Sequence, residues 1–404
     1  MSSGPSQSPP AISRRRGIEA ALAAIAAHVT PAVTLANAPE DQRRCPPACR
    51  GQLGCSGKRC TCGKATGCEI RRKFLIHPGA PYSEFYSNAW DEPNQRLLVT
   101  NGAGIRACNQ NLGTLWTVNT WAPTPGTQTS FLSLSPGQGD QIVANVFVSN
   151  GPSSVSKLIV IDQKRLEGNQ PPIWESPGLP HLLGGIEYNQ ADGLIYATIA
   201  NDASGVLIFD PARPSSESLV GRWDGTKGTP QFELAIGLST DAKGLIYVAG
   251  ANPDGVMGIF CFKPDGKLVR IYGPTTDAGS PLTAADPGVF GIPWAVTVGA
   301  DGNVYAADPV KAKVHVFASD GTLLASLGRG TQAGREGGIG VVTGVAVNAR
   351  QQIYTVGYDT STLVTAADLT RAAASPGATP ASDESIGILM KRFVLDGWQG
   401  HPSS

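Results

Sequence analysis

Nine residues with the chemistry of a binding site recur along the chain: Glu84, Asn101, Glu187, Asp202, Glu233, Asn252, Trp294, Asp308 and Asp359. Each falls beside one of the repeating apolar stretches described below. Tyr86, Asn145, His181, Asp254 and Tyr358 share that placement. Carboxylate and amide oxygens are what a hard cation wants, so this set could hold Ca²⁺ or another divalent metal. Asp and Asn are also good turn residues, and for each taken alone that reading is the favoured one; only as a set do they point to a ligand. Stronger signals of chemistry are missing. There is no G-x-S-x-G, no H-E-x-x-H, no Walker loop and no EF-hand loop. The glycine run Gly328–Gly340 is not followed by Lys-Ser/Thr, so it reads as a connection and not as a phosphate cradle. His77 and His181 precede apolar stretches, but a lone loop histidine is usually solvated.

A second constellation is made of cysteine. Six of the eight cysteines lie between Cys45 and Cys68, spaced Cys45-x3-Cys49-x5-Cys55-x4-Cys60-x-Cys62-x5-Cys68. A short segment with almost no apolar residues needs cross-links to hold a shape, which points to disulfides. A zinc site is the rival, yet there is no Cys-x-x-Cys pair and no nearby histidine before His77. The spacing resembles that of inhibitor cystine-knot segments. That resemblance implies the pairing Cys45–Cys60, Cys49–Cys62 and Cys55–Cys68; spacing alone leaves every connectivity open. Cys108 and Cys261 lie in the body of the chain and are expected to be buried free thiols.

Ahead of this module, Arg14-Arg15-Arg16 precedes the Ala-rich segment Gly17–Leu35 and then Ala36-Asn37-Ala38. That is the order of an export leader, with a twin-arginine variant allowed. The dense cysteines suit the same oxidising destination. The expectation is an extracytoplasmic protein: secreted, periplasmic or in a thylakoid lumen. No Asn-x-Ser/Thr acceptor is present. No other stretch is long and apolar enough for a transmembrane anchor. A net charge of zero gives no footprint for nucleic acid.

The elements that must position these residues come from a repeat. Six units of turn plus apolar stretch read NQRLLVTN from Asn94, GDQIVAN from Gly139, DGLIYA from Asp192, KGLIYVA from Lys243, DGNVYAAD from Asp301 and QQIYTVG from Gln351. With Leu98, Val143, Tyr196, Tyr247, Tyr305 and Tyr354 aligned, the gaps are 45, 53, 51, 58 and 49 residues. This period predicts four-stranded blades that bury their faces only by stacking on neighbours. With 49 Gly and 31 Pro in 404 residues and 16% charged residues, the composition suits short strands and many turns. The expected fold is all-β: a six-bladed β-propeller of four-stranded antiparallel blades, with a small disulfide-rich N-terminal module. In the clearest blade, Trp294–Val298 is the inner strand and Val304–Ala307 the second, joined by a primed hairpin turn at Asp301-Gly302. Lys313–Phe317 and Thr322–Leu327 follow as the third and fourth. Ile70–Ile76 has no blade of its own and is expected to pair with Ile386–Phe393, closing the ring through the chain's two ends.

Residues Trp294–Gly328 and Ile236–Gly273 resemble NHL repeats. The division of the chain is then 1–38 leader or disordered, 39–68 cysteine module, 69–398 propeller and 399–404 tail. Propellers bind ligands where loops converge at the mouth of the central channel, which is where the nine residues above are placed. Two functions are compatible with this. One is an exported NHL-like binding or scaffolding module, a monomer taking a protein or a small molecule at that face. The other is a divalent-metal-dependent lactonase or esterase of the gluconolactonase-like propeller class, though the Glu-Gly-Pro segment typical of those relatives is not found.

Overall fold

The computed structural model describes residues 59–62, 65–68, 70–75, 87–100, 102, 104–150, 153–200, 204–273, 290–328, 341–358 and 387–393. A hairpin opens it: β1 (Arg59–Cys62) pairs antiparallel with β2 (Ala65–Cys68), and β3 (Ile70–Leu75) follows. The first blade is β4 (Asn88–Asp91), β5 (Arg96–Thr100), β6 (Ile105–Cys108) and β7 (Thr114–Val118). The second is β8 (Gln128–Pro136), β9 (Ile142–Asn150), β10 (Ser153–Ile161) and β11 (Trp174–Glu175). The third is β12 (Leu183–Tyr188), β13 (Ile195–Ile199), β14 (Gly205–Phe209) and β15 (Leu219–Trp223). The fourth is β16 (Leu234–Thr240), β17 (Ile246–Ala251), β18 (Met257–Phe262) and β19 (Leu268–Tyr272). The fifth is β20 (Ala295–Val298), β21 (Val304–Asp308), β22 (Lys313–Phe317) and β23 (Leu323–Leu327). Then come β24 (Val341–Val347), β25 (Ile353–Tyr358) and β26 (Gly387–Phe393).

This is a β-propeller of four-stranded antiparallel blades, but the expectation of six blades needs correction. Five blades are runs of four consecutive strands, whereas the remaining four-stranded sheet is composite, ordered β24-β25-β26-β3. In it β3 runs antiparallel to β26, from Ile70 opposite Arg392 to Leu75 opposite Gly387. An early and a late segment of the chain thus meet in one sheet, as the unpartnered apolar run at Ile70 suggested.

Each sheet buries its faces against the next. Phe131, Ile142 and Ile159 of the second blade pack on Leu98, Ile105 and Ala107 of the first. The fifth blade contributes Tyr305 and Val316 against Val345 and Ile353 of the composite sheet. That sheet in turn meets the first blade, where the rings of Tyr354 and Trp90 stack 5.1 Å apart at 6°. Cys108 and Cys261 are both buried within these layers. The pairing expected for Cys45, Cys49, Cys55, Cys60, Cys62 and Cys68 falls outside the described side chains.

The repeated tyrosines have a local cause. The hydroxyls of Tyr196, Tyr247 and Tyr305 donate to Asp192 (2.8 Å), Asp241 (3.1 Å) and Asp301 (3.2 Å) in the turn that precedes each second strand. A tyrosine buried between blades must satisfy its hydroxyl, and the turn carboxylate does so. Burial also raises the Tyr196 and Tyr305 hydroxyl pKa values, so these groups remain donors. The Asp301-Gly302 turn departs from the two-residue primed form. Gly302 (φ 76°) is the only loop residue there with positive φ, its N–H reaches the Gly299 carbonyl, and Gly299 N–H reaches Asn303. That is a type I turn followed by one left-handed residue. Gln95 and Gln351 adopt φ of 51° and 59° at the equivalent place, so an unbranched polar side chain is accommodated there.

Candidate functional site

The innermost strands β4, β8, β12, β16, β20 and β24 surround a central channel of about 620 Å³. That is within the usual size of a small-molecule site. The channel has two unlike ends. Where the inner strands begin, Leu182, Leu183, Leu234, Ile236 and Trp294 line it. At the other end, where the chain turns from inner to second strands, Glu92, Glu187 and Asp241 line it.

The apolar end is narrowed by close backbone approach. Register shifts occur in β12 between Leu183 and Ile186 and in β16 between Ala235 and Gly237. A Cβ on Gly185 would lie 2.5 Å from the Leu238 nitrogen, and one on Gly237 would lie 2.6 Å from the Trp294 oxygen. Only glycine lets adjacent inner strands come this close. The carbonyls freed by these bulges are met from neighbouring strands. Ser133 Oγ donates to Gly184 O (2.7 Å), Asn145 Nδ2 to Leu183 O (2.9 Å) and Thr198 Oγ1 to Ile236 O (2.6 Å). Asn145 is therefore a clasp between blades two and three. The Gly184-Gly185 pair inside a strand pattern was the available signal for this bulge.

Glu187 is the channel's distinctive side chain. It lies one residue before the end of β12, opposite Tyr196 on β13, and stays partly accessible through the channel. Protein surrounds the carboxyl closely enough for burial to push it up from its ordinary 4.5 to about 8; a hydrogen bond with Ser135 opposes this only in part. The flanking carboxylates have local duties instead. Glu92 accepts from the Trp90 indole (2.5 Å) and from Ala349 N–H (3.0 Å). Asp241 accepts from the N–H groups of Lys243 and Leu245, both at 2.9 Å, and from Tyr247.

The remaining sequence candidates are dispersed. Trp294 lines the channel at the end where the inner strands begin. Glu187 lies at the opposite end, because it directly precedes the hairpin into the second strand and not the loop into the first. Glu233 is exposed. Asn252 Oδ1 accepts from Asp254 N–H (3.1 Å) and Val256 N–H (2.9 Å), ordering its own loop. Asp308 is fully buried and accepts from Gly291 N–H (2.6 Å) and Lys311 N–H (3.0 Å), holding two connections together. Glu84, Asn101, Asp202 and Asp359 lie outside the described residues, as do Tyr86 and His77. Among the described residues, no three of His, Cys, Asp and Glu come together as metal ligands. Nor, among those residues, is any helix long and apolar enough to cross a membrane.

Comparisons with known proteins return architecture alone. No family model and no curated protein sequence matches the chain, so the likeness to NHL repeats and to cystine-knot segments rests on the quoted residues. Solved structures do match in outline. A luciferin-regenerating enzyme aligns at 12% identity and TM-score 0.49, covering 82% of this chain and 98% of its own. A streptogramin B lyase aligns at 10% and 0.45, covering 81% and 98%. A gluconolactonase from Xanthomonas campestris aligns at 13% and 0.43, covering 83% and 100%. At such values the likeness is one of general shape, and the fold assignment rests on the sheet topology described above.

Proposed function

We propose that this chain is an exported propeller that binds a small molecule in its central channel, with the composite sheet serving as a sixth blade. The channel carries the reading: about 620 Å³, ringed by inner strands, apolar at one end and equipped with a few polar groups at the other. The leader-like sequence and the clustered cysteines support export, with the cysteine module as an accessory beside the closing strand. A small-molecule library screened by thermal shift tests the binding. Thr297, which lines the channel, is replaced by Trp as a plug. Ligands of the channel should raise the melting temperature of the native protein and not of Thr297→Trp. Stabilisation that survives the plug would place the ligands elsewhere and overturn the reading.

Glu187 favours a second reading. A carboxyl held protonated near neutral pH suits a general acid, as a lactonase-type hydrolase requires. Among the described residues, no three of His, Cys, Asp and Glu come together to hold the divalent metal of such an enzyme. Elemental analysis of the purified protein separates the two, because a stoichiometric divalent ion supports the hydrolase and its lack supports the binding protein.

A further inference from the structure

The two ends of the channel differ in a way that narrows its ligand. Every charged residue among the described lining is acidic: Glu92, Glu187 and Asp241, with no Lys, Arg or His. All three lie at the hairpin end, since Glu92 and Asp241 directly follow β4 and β16 and Glu187 nearly ends β12. The opposite end is largely apolar and uncharged and carries Trp294, with Ser87 and Asn88 among its polar groups. We infer that the channel takes an organic cation with an apolar body, its charged head beside Glu187 and its body along the apolar end.

Three observations carry this inference, which rests on the channel being the binding site. First, Glu92 and Asp241 already accept hydrogen bonds from their own turns, whereas among the described residues Ser135 is the one hydrogen-bond partner of the Glu187 carboxyl. Second, among the described residues Glu187 has no ion-pair partner. The strands packed against β12 are β8, β9, β13 and β16, and none contains Lys, Arg or His. Their titratable neighbours are Tyr196, whose hydroxyl serves Asp192, and Asp241 at the end of β16. Third, desolvation without a counter-charge holds the Glu187 carboxyl at about 8. An entering ammonium supplies that counter-charge, so its binding should drive a proton off Glu187. A neutral ligand of the same shape gains nothing from this step, and an anion meets three carboxyl groups.

Matched probes test the charge separately from the channel. 4-Phenylbutylammonium, 4-phenylbutanol and 4-phenylbutyrate share one apolar body. Calorimetry at pH 7 and pH 9 would measure each against the native protein, Glu187→Gln and Thr297→Trp. The cation is expected to bind the native protein at least tenfold more tightly than the alcohol, to gain affinity between pH 7 and pH 9, and to release a proton. In Glu187→Gln the preference should shrink to about twofold with no proton release, while the alcohol binds unchanged. Equal binding of cation and alcohol by the native protein, both lost in Thr297→Trp, would keep the channel and overturn the cation. A preference that survives in Glu187→Gln would also overturn it. If none of the three probes binds, or if all binding survives the plug, the channel reading itself falls.

Discussion

Replacing Tyr354 by Ala is expected to cost about 3–5 kcal/mol of stability, the range for deleting a large buried aromatic side chain. Tyr354 is fully buried in the layer between the composite sheet and the first blade, with its ring stacked on Trp90. Its hydroxyl lies 3.1 Å from both the Gln110 carbonyl oxygen and Gln352 Oε1. This is the interface that joins the last part of the ring to the first, and the layers elsewhere are connected by adjacent chain. Loss of packing here opens the ring and leaves polar partners unsatisfied. Tyr354→Phe keeps the stack and loses only the hydroxyl contacts, so it should cost nearer 1 kcal/mol. Chemical denaturation measures both. Equal losses in the two variants would mean that the hydroxyl, and not the stacked ring, holds the closure.

Removing the closing strand should have a comparable effect by another route. A chain beginning at residue 70 keeps β3, whereas one beginning at residue 76 lacks it and leaves β26 with an open edge. Six paired residues are lost, which at roughly 0.5–1.5 kcal/mol per hydrogen bond amounts to several kcal/mol. An exposed, unpaired edge also promotes association. The longer chain should unfold cooperatively near the native midpoint, and the shorter should melt earlier and aggregate. Identical melting curves would show that β3 contributes nothing to closure.

The fold was legible because several levels of the sequence agree. The turn carboxylates of Asp192, Asp241 and Asp301 stand shortly before the tyrosines that donate to them, and the alternation on either side sets the strands. The closing pair could be anticipated from an apolar run at Ile70 with nowhere else to go. What misled was the repeat count, since six aligned turn-strand units do not reveal that only five sheets are made of four consecutive strands. The turn type at Gly302 was misread because Asp-Gly fits more than one hairpin geometry, and the difference lies in a φ angle.

The site was less legible for a different reason. Residue type marks Asp308 and Asn252 as possible ligands, but their oxygens are occupied by neighbouring backbone N–H groups, which no spacing rule reveals. Glu187 lines the channel near the hairpin that follows β12, whereas the sequence reading put it at the mouth before the inner strand. A strand's alternation says which side faces the axis and not how deep a side chain lies. Its neighbour Asn189, at the start of the hairpin turn, was the clue to its depth. The inner-strand glycines went unnoticed because a glycine's function here is close approach, visible only once the strands are assembled.

Site-specific titration of Glu187 by ¹³C NMR, with Glu187→Gln identifying the signal, tests most directly whether the channel is a desolvated compartment. A midpoint near 8 is expected, well above the ordinary 4.5. The sign of the linked stability follows. Between pH 4.5 and about 8 the folded state keeps a proton that the unfolded state has lost. Stability relative to Glu187→Gln should therefore be undiminished below this window, fall through it by at most about 1.4 kcal/mol per pH unit, and level off above it. A Glu187 midpoint in the ordinary carboxylate range, with no pH-dependent difference from Glu187→Gln, would contradict the account.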